Sequence, residues 1–262
     1  MPDDLESTET AKLAAREALK STAAMDSAFV RAAGRVKSVL SRAALKGDTE
    51  AQNLAGAIAL EIEQSPKEAR RWFEMAAASG DRAARRSLGS LYANGQGVRA
   101  DIPKAMELFR LAADAGDPYA AHNLAAVNVK LEGAYFSLEE TLTLLRSAAD
   151  GGVVEATALL ADVLAANDQD SEALDLYVKA ASQGHAGAMK AAACWFRDGT
   201  AGEPNPVQSV RWFLAMLNYG NGDGVHEAIK VASGMSADQI REAARLAGRP
   251  GEGESLLAMI SR

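Results

Sequence analysis

Apolar residues recur along the chain at helical intervals, in a unit that ends each time on a glycine. The motif Ala-Ala-x-x-Gly and a degenerate sixth copy, MLNYGN, place these glycines at Gly47, Gly80, Gly116, Gly152, Gly184 and Gly220. Three and four residues before each alanine pair lie large apolar residues, and seven before lies a residue that is usually small. Offsets of 3, 4 and 7 share one helical face, so each unit is predicted to contain a helix with one buried stripe.

A second periodic segment follows each glycine. Alanine stands four residues downstream at Ala51, Ala84, Ala120, Ala156 and Ala188. An alanine or leucine comes four residues later and is followed by glycine or alanine, as at Gly56 and Gly89. Such small residues allow close helix packing. Each unit is therefore predicted to be a helix–loop–helix hairpin that buries its apolar face only by stacking on its neighbours, which gives an all-α solenoid of about five hairpins.

Capping residues support these boundaries. Ser65 with Glu68, and Ser137 with Glu140, have the spacing of capping boxes, and Asn205-Pro206 places a cap before a proline at the first helical position. The glycine that ends each unit is predicted to adopt the left-handed conformation of a helix C-cap.

Residues 80–116 resemble a Sel-like repeat, a relative of the tetratricopeptide repeat. The resemblance rests on Ala84, Leu88-Gly89, Tyr92, Gly95-x-Gly97-Val98, Asp101, Lys104-Ala105 and Ala112-Ala113 with Gly116. It covers roughly residues 40–220 and weakens where Asn128 and Leu164 replace the tyrosine and where the 153–184 unit lacks the glycine loop. Membership would imply a right-handed superhelical α-solenoid with terminal capping helices, a scaffold role in protein complexes, and no catalytic residue.

The sequence NGQGV at residues 94–98 has two interpretations. Glycines spaced G-x-G with a downstream lysine, Lys104, are typical of phosphate-binding loops, but those loops follow a strand and lead directly into a helix. Here the glycines follow a predicted helix, and the next helix begins near Asp101. Gly95 and Gly97 are therefore predicted to be turn residues with positive φ in a hinge between two helices.

The resemblance also predicts where a partner would bind, because the first helix of each hairpin lines the concave surface in tetratricopeptide-type arrays. The groove positions of this chain have mixed charge, which suits a partner protein or peptide that carries both signs. They are Asn53, Arg86, Ser90, Asn94, Tyr119, His122, Lys130, Asp162, Lys190 and Arg197. The basic cluster Arg82, Arg85 and Arg86 is interpreted either as a solvated face or as a docking patch for an acidic segment.

Composition narrows the function. Hydrophobic residues make up 48% of the chain and aromatics 5%, so the core must consist largely of alanine and leucine, and the net charge of −7 argues against a nucleic-acid partner. The single cysteine, Cys194, excludes an intramolecular disulfide. No metal-binding or nucleophile motif occurs, so no cofactor, metal or catalytic residue is predicted; His122 is the one candidate for an enzyme. No apolar run is long enough for membrane insertion.

The chain is predicted to have three parts: a helical extension and cap at 1–46, the repeat array at 47–220, and capping helices with a tail at 221–262. Residues 5–46 are predicted to be helical throughout; the extension could cap the array, pair with a second copy or fold only on a partner. A frayed loop is predicted at 218–225. The helix that opens at Ser236 is predicted to run to about Ala247, where Gly248, Pro250, Gly251 and Gly253 break it. The leading function is a bacterial, cytoplasmic interaction module (scaffold, adaptor or regulator). The alternatives are a periplasmic signalling regulator whose leader has been removed and a homo-oligomeric structural element.

Overall fold

A computed structural model describes residues 2–20, 27–131 and 137–261 of the chain. Within these ranges the regular structure is helical and contains no strand, which confirms the all-α prediction. The chain divides into two compact units, Met1–Lys130 and Leu131–Arg262, each of which is described by itself.

The first unit consists of helices that pack in sequence order around alanine-rich seams. A π-helical turn at Ile58–Ile62 extends the third of them. The buried residues at the repeat's main apolar position are Leu40, Phe73 and Phe109. The helices are α1 (Pro2–Lys20), α2 (Ser27–Leu45), α3 (Thr49–Ala57), α4 (Pro66–Ala78), α5 (Arg82–Asn94), α6 (Ile102–Asp114) and α7 (Pro118–Lys130).

The second unit is built in the same way. Leu145, Tyr177 and Phe213 occupy the corresponding buried positions. A 3₁₀ turn at Met216–Tyr219 follows the helix that carries Phe213. The helices are α8 (Leu138–Asp150), α9 (Val154–Ala165), α10 (Asp170–Ser182), α11 (Ala186–Asp198), α12 (Pro206–Ala215), α13 (Asp223–Ala232), α14 (Ala237–Leu246) and α15 (Pro250–Ile260).

Four predicted hairpins lie wholly within a unit: α3 with α4, α5 with α6, α9 with α10, and α11 with α12. The helices predicted to form the fifth, α7 and α8, belong to different units. The N-terminal extension is not one continuous helix, because α1 packs against α2 and α3 and buries Ala11 and Ala15 there. Residues 21–26 lie outside the described ranges. The extension thus adds a helix pair ahead of the five hairpins.

Two glycines explain how the hairpins close. A Cβ atom on Gly56 would lie 2.6 Å from the ring of Phe73, and one on Gly89 would lie 2.7 Å from the ring of Phe109. The small residues were predicted to let two helix backbones approach closely. At these two positions, the group nearest to the glycine is the aromatic ring of the following helix.

The repeat glycines end their helices as predicted, since all six have positive φ. At Gly116 (φ +80°) the N–H bonds to Ala113 O at 2.8 Å, and the next N–H, of Asp117, bonds to Ala112 O at 3.0 Å. These bonds satisfy carbonyls at the end of α6 and turn the chain directly into α7.

Of the three predicted side-chain caps, two are formed, and at Ser137 the observed bond is the first half of the predicted capping box. Asn205 accepts the N–H of Gln208 at 3.1 Å, and Ser137 accepts that of Glu140 at 3.3 Å. Ser65 makes no capping hydrogen bond to α4, so that prediction is wrong. Its intended partner Glu68 is engaged elsewhere, because its Oε1 accepts hydrogen bonds from Lys37 Nζ and Trp72 Nε1.

Two predictions about the C-terminal glycines hold only in part. The stretch predicted to fray at 218–225 contains the start of α13 at Asp223, where Gly224 packs so tightly that a Cβ would lie 2.4 Å from Phe213 O. The helix predicted to break near Ala247 does end there, because α14 stops at Leu246 and Gly248 has φ +69°. Gly251 and Gly253, however, lie inside a further helix, α15, which begins at Pro250. A Cβ on Gly253 would lie 2.8 Å from that of Ala244. Close packing against a neighbouring helix therefore outweighs the low helix propensity of glycine.

Candidate protein-binding surface

The loop at residues 94–98 is a hinge between α5 and α6. Gly95 caps α5 with φ +67°, and Gly97 has φ +68°. Asp101 Oδ1 accepts the N–H of Lys104 at 3.0 Å and starts α6, as predicted. A Cβ on Gly97 would lie 2.6 Å from the backbone of Pro66, so this loop seats against the first turn of α4 in the preceding hairpin.

In the first unit, the residues predicted to line a groove differ in exposure. Tyr119, Asn94 and Lys130 are exposed, whereas Asn53, Arg86, Ser90 and His122 are partly buried. Tyr119 is 53% exposed, which is unusual for a large aromatic side chain in this chain. The exposed members give this surface a polar character with one aromatic ring.

Arg86 joins two of these first helices. Its Nη1 lies 3.2 Å from Oδ1 of the buried Asp117, which also accepts the N–H of Ala120 at 3.0 Å and so caps α7. The Arg86 guanidinium carbon lies 5.1 Å from the centre of the Tyr119 ring, within the range of a cation–π contact. Tyr119 therefore stacks on a cation whose position a buried carboxylate fixes.

The other two arginines of the basic cluster are also engaged, Arg82 within its own hairpin and Arg85 across to the preceding one. Arg82 Nη1 donates to Ala115 O at 3.2 Å and Gly116 O at 3.0 Å at the end of α6. Arg85 Nε donates to Ala77 O at 3.4 Å in α4. The sequence pattern suggested a solvated face or a docking patch and did not predict this structural role. The missed signal was the position of Arg86 opposite Asp117, the aspartate that follows the next repeat glycine.

In the second unit, two of the three predicted groove residues have internal partners. Asp162 accepts a hydrogen bond from Tyr177 Oη at 2.7 Å. Burial, helped by this bond to a carboxylate, raises the pKa of the Tyr177 hydroxyl, which keeps it a donor. Arg197 binds Asp198 and reaches Glu227 Oε2 of α13 at 3.0 Å, and its hydrogen bond to Asp198 raises the pKa of Arg197. Lys190 is exposed.

Two kinds of site are absent from the residues that the structure describes. Among the residues that the structure describes, no three His, Cys, Asp or Glu side chains are grouped so that they could hold a metal ion. In the same ranges, no helix combines the length and apolar character that crossing a membrane requires.

Stacked helix pairs, closed by small residues and ended by left-handed glycines, define an α-solenoid of the tetratricopeptide class. The Sel1 repeat model matches residues 50–81, 83–117, 165–185 and 186–220. The chain therefore contains four Sel1 repeats. The unmatched stretch between the two pairs of repeats includes α7 and α8, where Asn128, at the position of the repeat tyrosine, is fully buried.

Solved structures share this fold. One is c5321, a protective antigen present in uropathogenic Escherichia coli strains that displays an SLR fold, with a TM-score of 0.70 and 21% identity over 91% of this chain. This chain spans 54% of that structure, about half its length. Another is a Sel1 repeat protein from Oxalobacter formigenes, with a TM-score of 0.64 and 22% identity over 82% of this chain and 87% of that one. No curated protein matches the sequence. Sel1 repeats are generally protein–protein interaction modules.

Proposed function

We propose that the protein binds a segment of another protein on its first unit, at the surface formed by the first helix of each hairpin, α3, α5 and α7. Tyr119 on α7 is the anchor of this first-helix surface. The observation that carries this proposal is the exposed Tyr119 ring, which stacks on Arg86 while Asp117 holds the guanidinium. The surrounding polar residues would form a rim, as protein interfaces commonly have around a central anchor.

Physical reasons favour this ring as an anchor. Tyrosine and arginine are enriched among the residues that contribute most to binding, because they bury much area with little loss of side-chain freedom. Here the Asp117 ion pair already restrains Arg86, so binding costs less conformational entropy at this point. A partner segment that covers the ring would also desolvate the cation–π contact and strengthen it.

The predicted residues of the second unit support binding less. Asp162 and Arg197 already have partners within the unit, and a ligand would have to compete with them. Lys190 is the member of this set whose exposed amine is best suited to a partner carboxylate. These three residues stay predicted partner contacts of the second unit by itself.

The test places a photo-crosslinking amino acid, p-benzoylphenylalanine, at position 119 in living cells. The matched control carries it at Tyr219, which is 56% exposed in the other unit. We expect a protein adduct that forms at position 119 and not at 219. The purified partner should then bind Tyr119→Ala about tenfold or more weakly than wild type, while Tyr219→Ala binds normally. Adducts equal at both positions, or affinity that is unchanged in Tyr119→Ala, would refute the proposal.

We assign no catalytic residue or cofactor, because the repeat fold is a typical non-catalytic scaffold. We assign no nucleic-acid ligand, because the net charge of −7 disfavours one. The cytoplasm is the proposed compartment, with the periplasm as the alternative. Self-association through the N-terminal helix is the other candidate role, favoured by Leu13, which is 57% exposed on α1. Light scattering of wild type and Leu13→Glu distinguishes it: only a concentration-dependent mass that falls in the variant would support it.

A further inference from the structure

A second surface of the first unit has the features of a binding groove. It lies along α4, the second helix of its hairpin, and so differs from the surface that carries Tyr119. The groove has a volume of about 450 Å³, and its lining residues are Ser65, Lys67, Glu68, Arg71, Trp72 and Met75. That volume lies within the range of pockets that bind small ligands or single large side chains.

The floor of the groove is apolar and held in place. Trp72 packs against the hydrophobic cluster formed by the N-terminal helices of this unit, and its Nε1 lies 3.5 Å from Glu68 Oε1. Met75 is 38% exposed one turn further along α4. A fixed indole beside a flexible thioether can accept apolar side chains of different shapes.

The rim is positively charged. The Glu68 carboxylate is engaged by Lys37 Nζ at 3.0 Å, and this hydrogen bond is the main reason why the pKa of Glu68 is lowered. Lys37 also binds Glu63. Within the ranges that the structure covers, Lys67 and Arg71 form no ion pair. The lining therefore carries two cations and one carboxylate, which is already paired with Lys37, in a protein whose net charge is −7.

We propose that this groove binds an acidic segment of another protein that carries a bulky apolar side chain. The apolar side chain would cover Trp72 and Met75. Lys67 and Arg71 are one helical turn apart, a rise of about 6 Å. Carboxylates on alternate residues of an extended segment have nearly the same separation, so both could pair with these cations. Charge complementarity of this kind selects the partner and speeds its association.

A phage-displayed library of random peptides, selected on the wild-type protein, tests the groove directly. We expect enriched peptides to combine acidic residues with an aromatic or large aliphatic residue. The double variant Lys67→Glu with Arg71→Glu should bind them at least about tenfold more weakly, and added salt should weaken binding to wild type. The matched control is Lys179→Glu on α10, which stands five residues before its repeat glycine, as Met75 does.

Folding of the variants should not limit the test, because all three substituted residues are exposed on helices. If circular dichroism nevertheless shows that the double variant is unfolded, Met75→Lys provides the same readout through the apolar floor. Tyr119→Ala should leave the affinity unchanged, which separates this groove from the first-helix surface. Peptides without acidic residues, equal binding to the double variant, or an equal loss in Lys179→Glu would overturn the proposal. So would sedimentation that shows a second copy of the chain occupying the groove.

Discussion

Replacing Gly89 with alanine should destabilise the protein, although alanine is the better helix former. The new Cβ would lie 2.7 Å from Phe109 Cε1 and 3.3 Å from Ala105 O. Carbon atoms prefer a separation of about 3.5–4.0 Å, so the ring must move by about 1 Å. Phe109 is 2% exposed in a packed core and has little room to move. Overpacking costs about 1–3 kcal/mol and the helix propensity of alanine returns about 1 kcal/mol. With the middle of that overpacking range, we expect a net loss of about 1 kcal/mol.

The matched control is Gly34→Ala in α2. A Cβ on Gly34 would have Glu63 Oε1 as its nearest neighbour, at an ordinary contact distance of 3.8 Å. Only the propensity gain remains, so this variant should be more stable than wild type by about 0.5–1 kcal/mol. The same chemical change is thus expected to have opposite signs at two helical glycines, because only one of them faces an aromatic ring.

Urea denaturation followed by circular dichroism measures both free energies of unfolding, and thermal melts should show Gly89→Ala lower by about 4 °C. The double variant Gly89→Ala with Phe109→Leu isolates the clash. Its loss should be smaller than the sum of the two single losses, since the smaller side chain removes the contact. A Gly89→Ala protein as stable as wild type, or strict additivity in the double variant, would refute the reasoning.

Three further changes address polar contacts. Arg86→Met should lower the free energy of unfolding by about 1–3 kcal/mol, because it leaves the buried Asp117 carboxylate without its cation. Lys12→Met should cost about 1 kcal/mol at neutral pH. Burial tends to raise the pKa of Asp48, but the hydrogen bonds from Lys12 and from the N–H of Ala51 outweigh it, so the pKa is lowered. The cost of Lys12→Met should therefore vanish as the pH falls from about 4 through that lowered pKa. His185→Asp should add about 0.5–1 kcal/mol, because a carboxylate caps α11 better than the Nδ1 that now accepts the N–H of Ala188.

Chemical denaturation at neutral and acidic pH checks all three, each against an exposed residue of the same type. Arg99→Met should change stability little, and a loss equal to that of the Arg86 variant would contradict the role of the ion pair. Lys20→Met should show no comparable pH dependence; a cost for Lys12→Met that persists at pH values below both pKa values would contradict the linkage. His226→Asp should not stabilise the protein, and an unchanged free energy in the His185 variant would contradict the capping argument.

The sequence was sufficient to predict the hairpins because their causes are local. Apolar offsets of 3, 4 and 7 specify a helical face, and a glycine that needs positive φ marks where each helix ends. The hinge at Gly95 and Gly97 followed from the same reasoning, and the structure agrees. Cap prediction was less reliable, because Asn205 caps its helix but Ser65 does not. The reciprocal half of the predicted box is absent at Ser65 because its N–H bonds to Ala59 O at 2.7 Å and the Glu68 carboxylate binds Lys37 on another helix.

For the candidate binding surface, the sequence predicted which helices carry the residues but not which residues of the same protein they contact. Tyr119 and Arg86 were placed on first helices by their distance from the repeat glycine, whereas their stacking and the Asp117 ion pair join different repeats. The basic cluster looked available for docking, yet its arginines bind carbonyls of their own and of the preceding hairpin and a carboxylate of the next one. The partners of Arg82 and Arg86 are 33 and 31 residues away in the sequence, so no local pattern shows these contacts.

The sequence by itself therefore determined the helices, their ends and the repeat, since these depend on propensity and spacing within one hairpin. Only the tertiary structure decided which polar groups are already paired and which remain open to a partner. It also decided that Gly224 and Gly253 lie inside helices, because a close neighbour there leaves no space for a Cβ atom. Local energies select the elements, but packing between elements selects the surfaces that are left for binding.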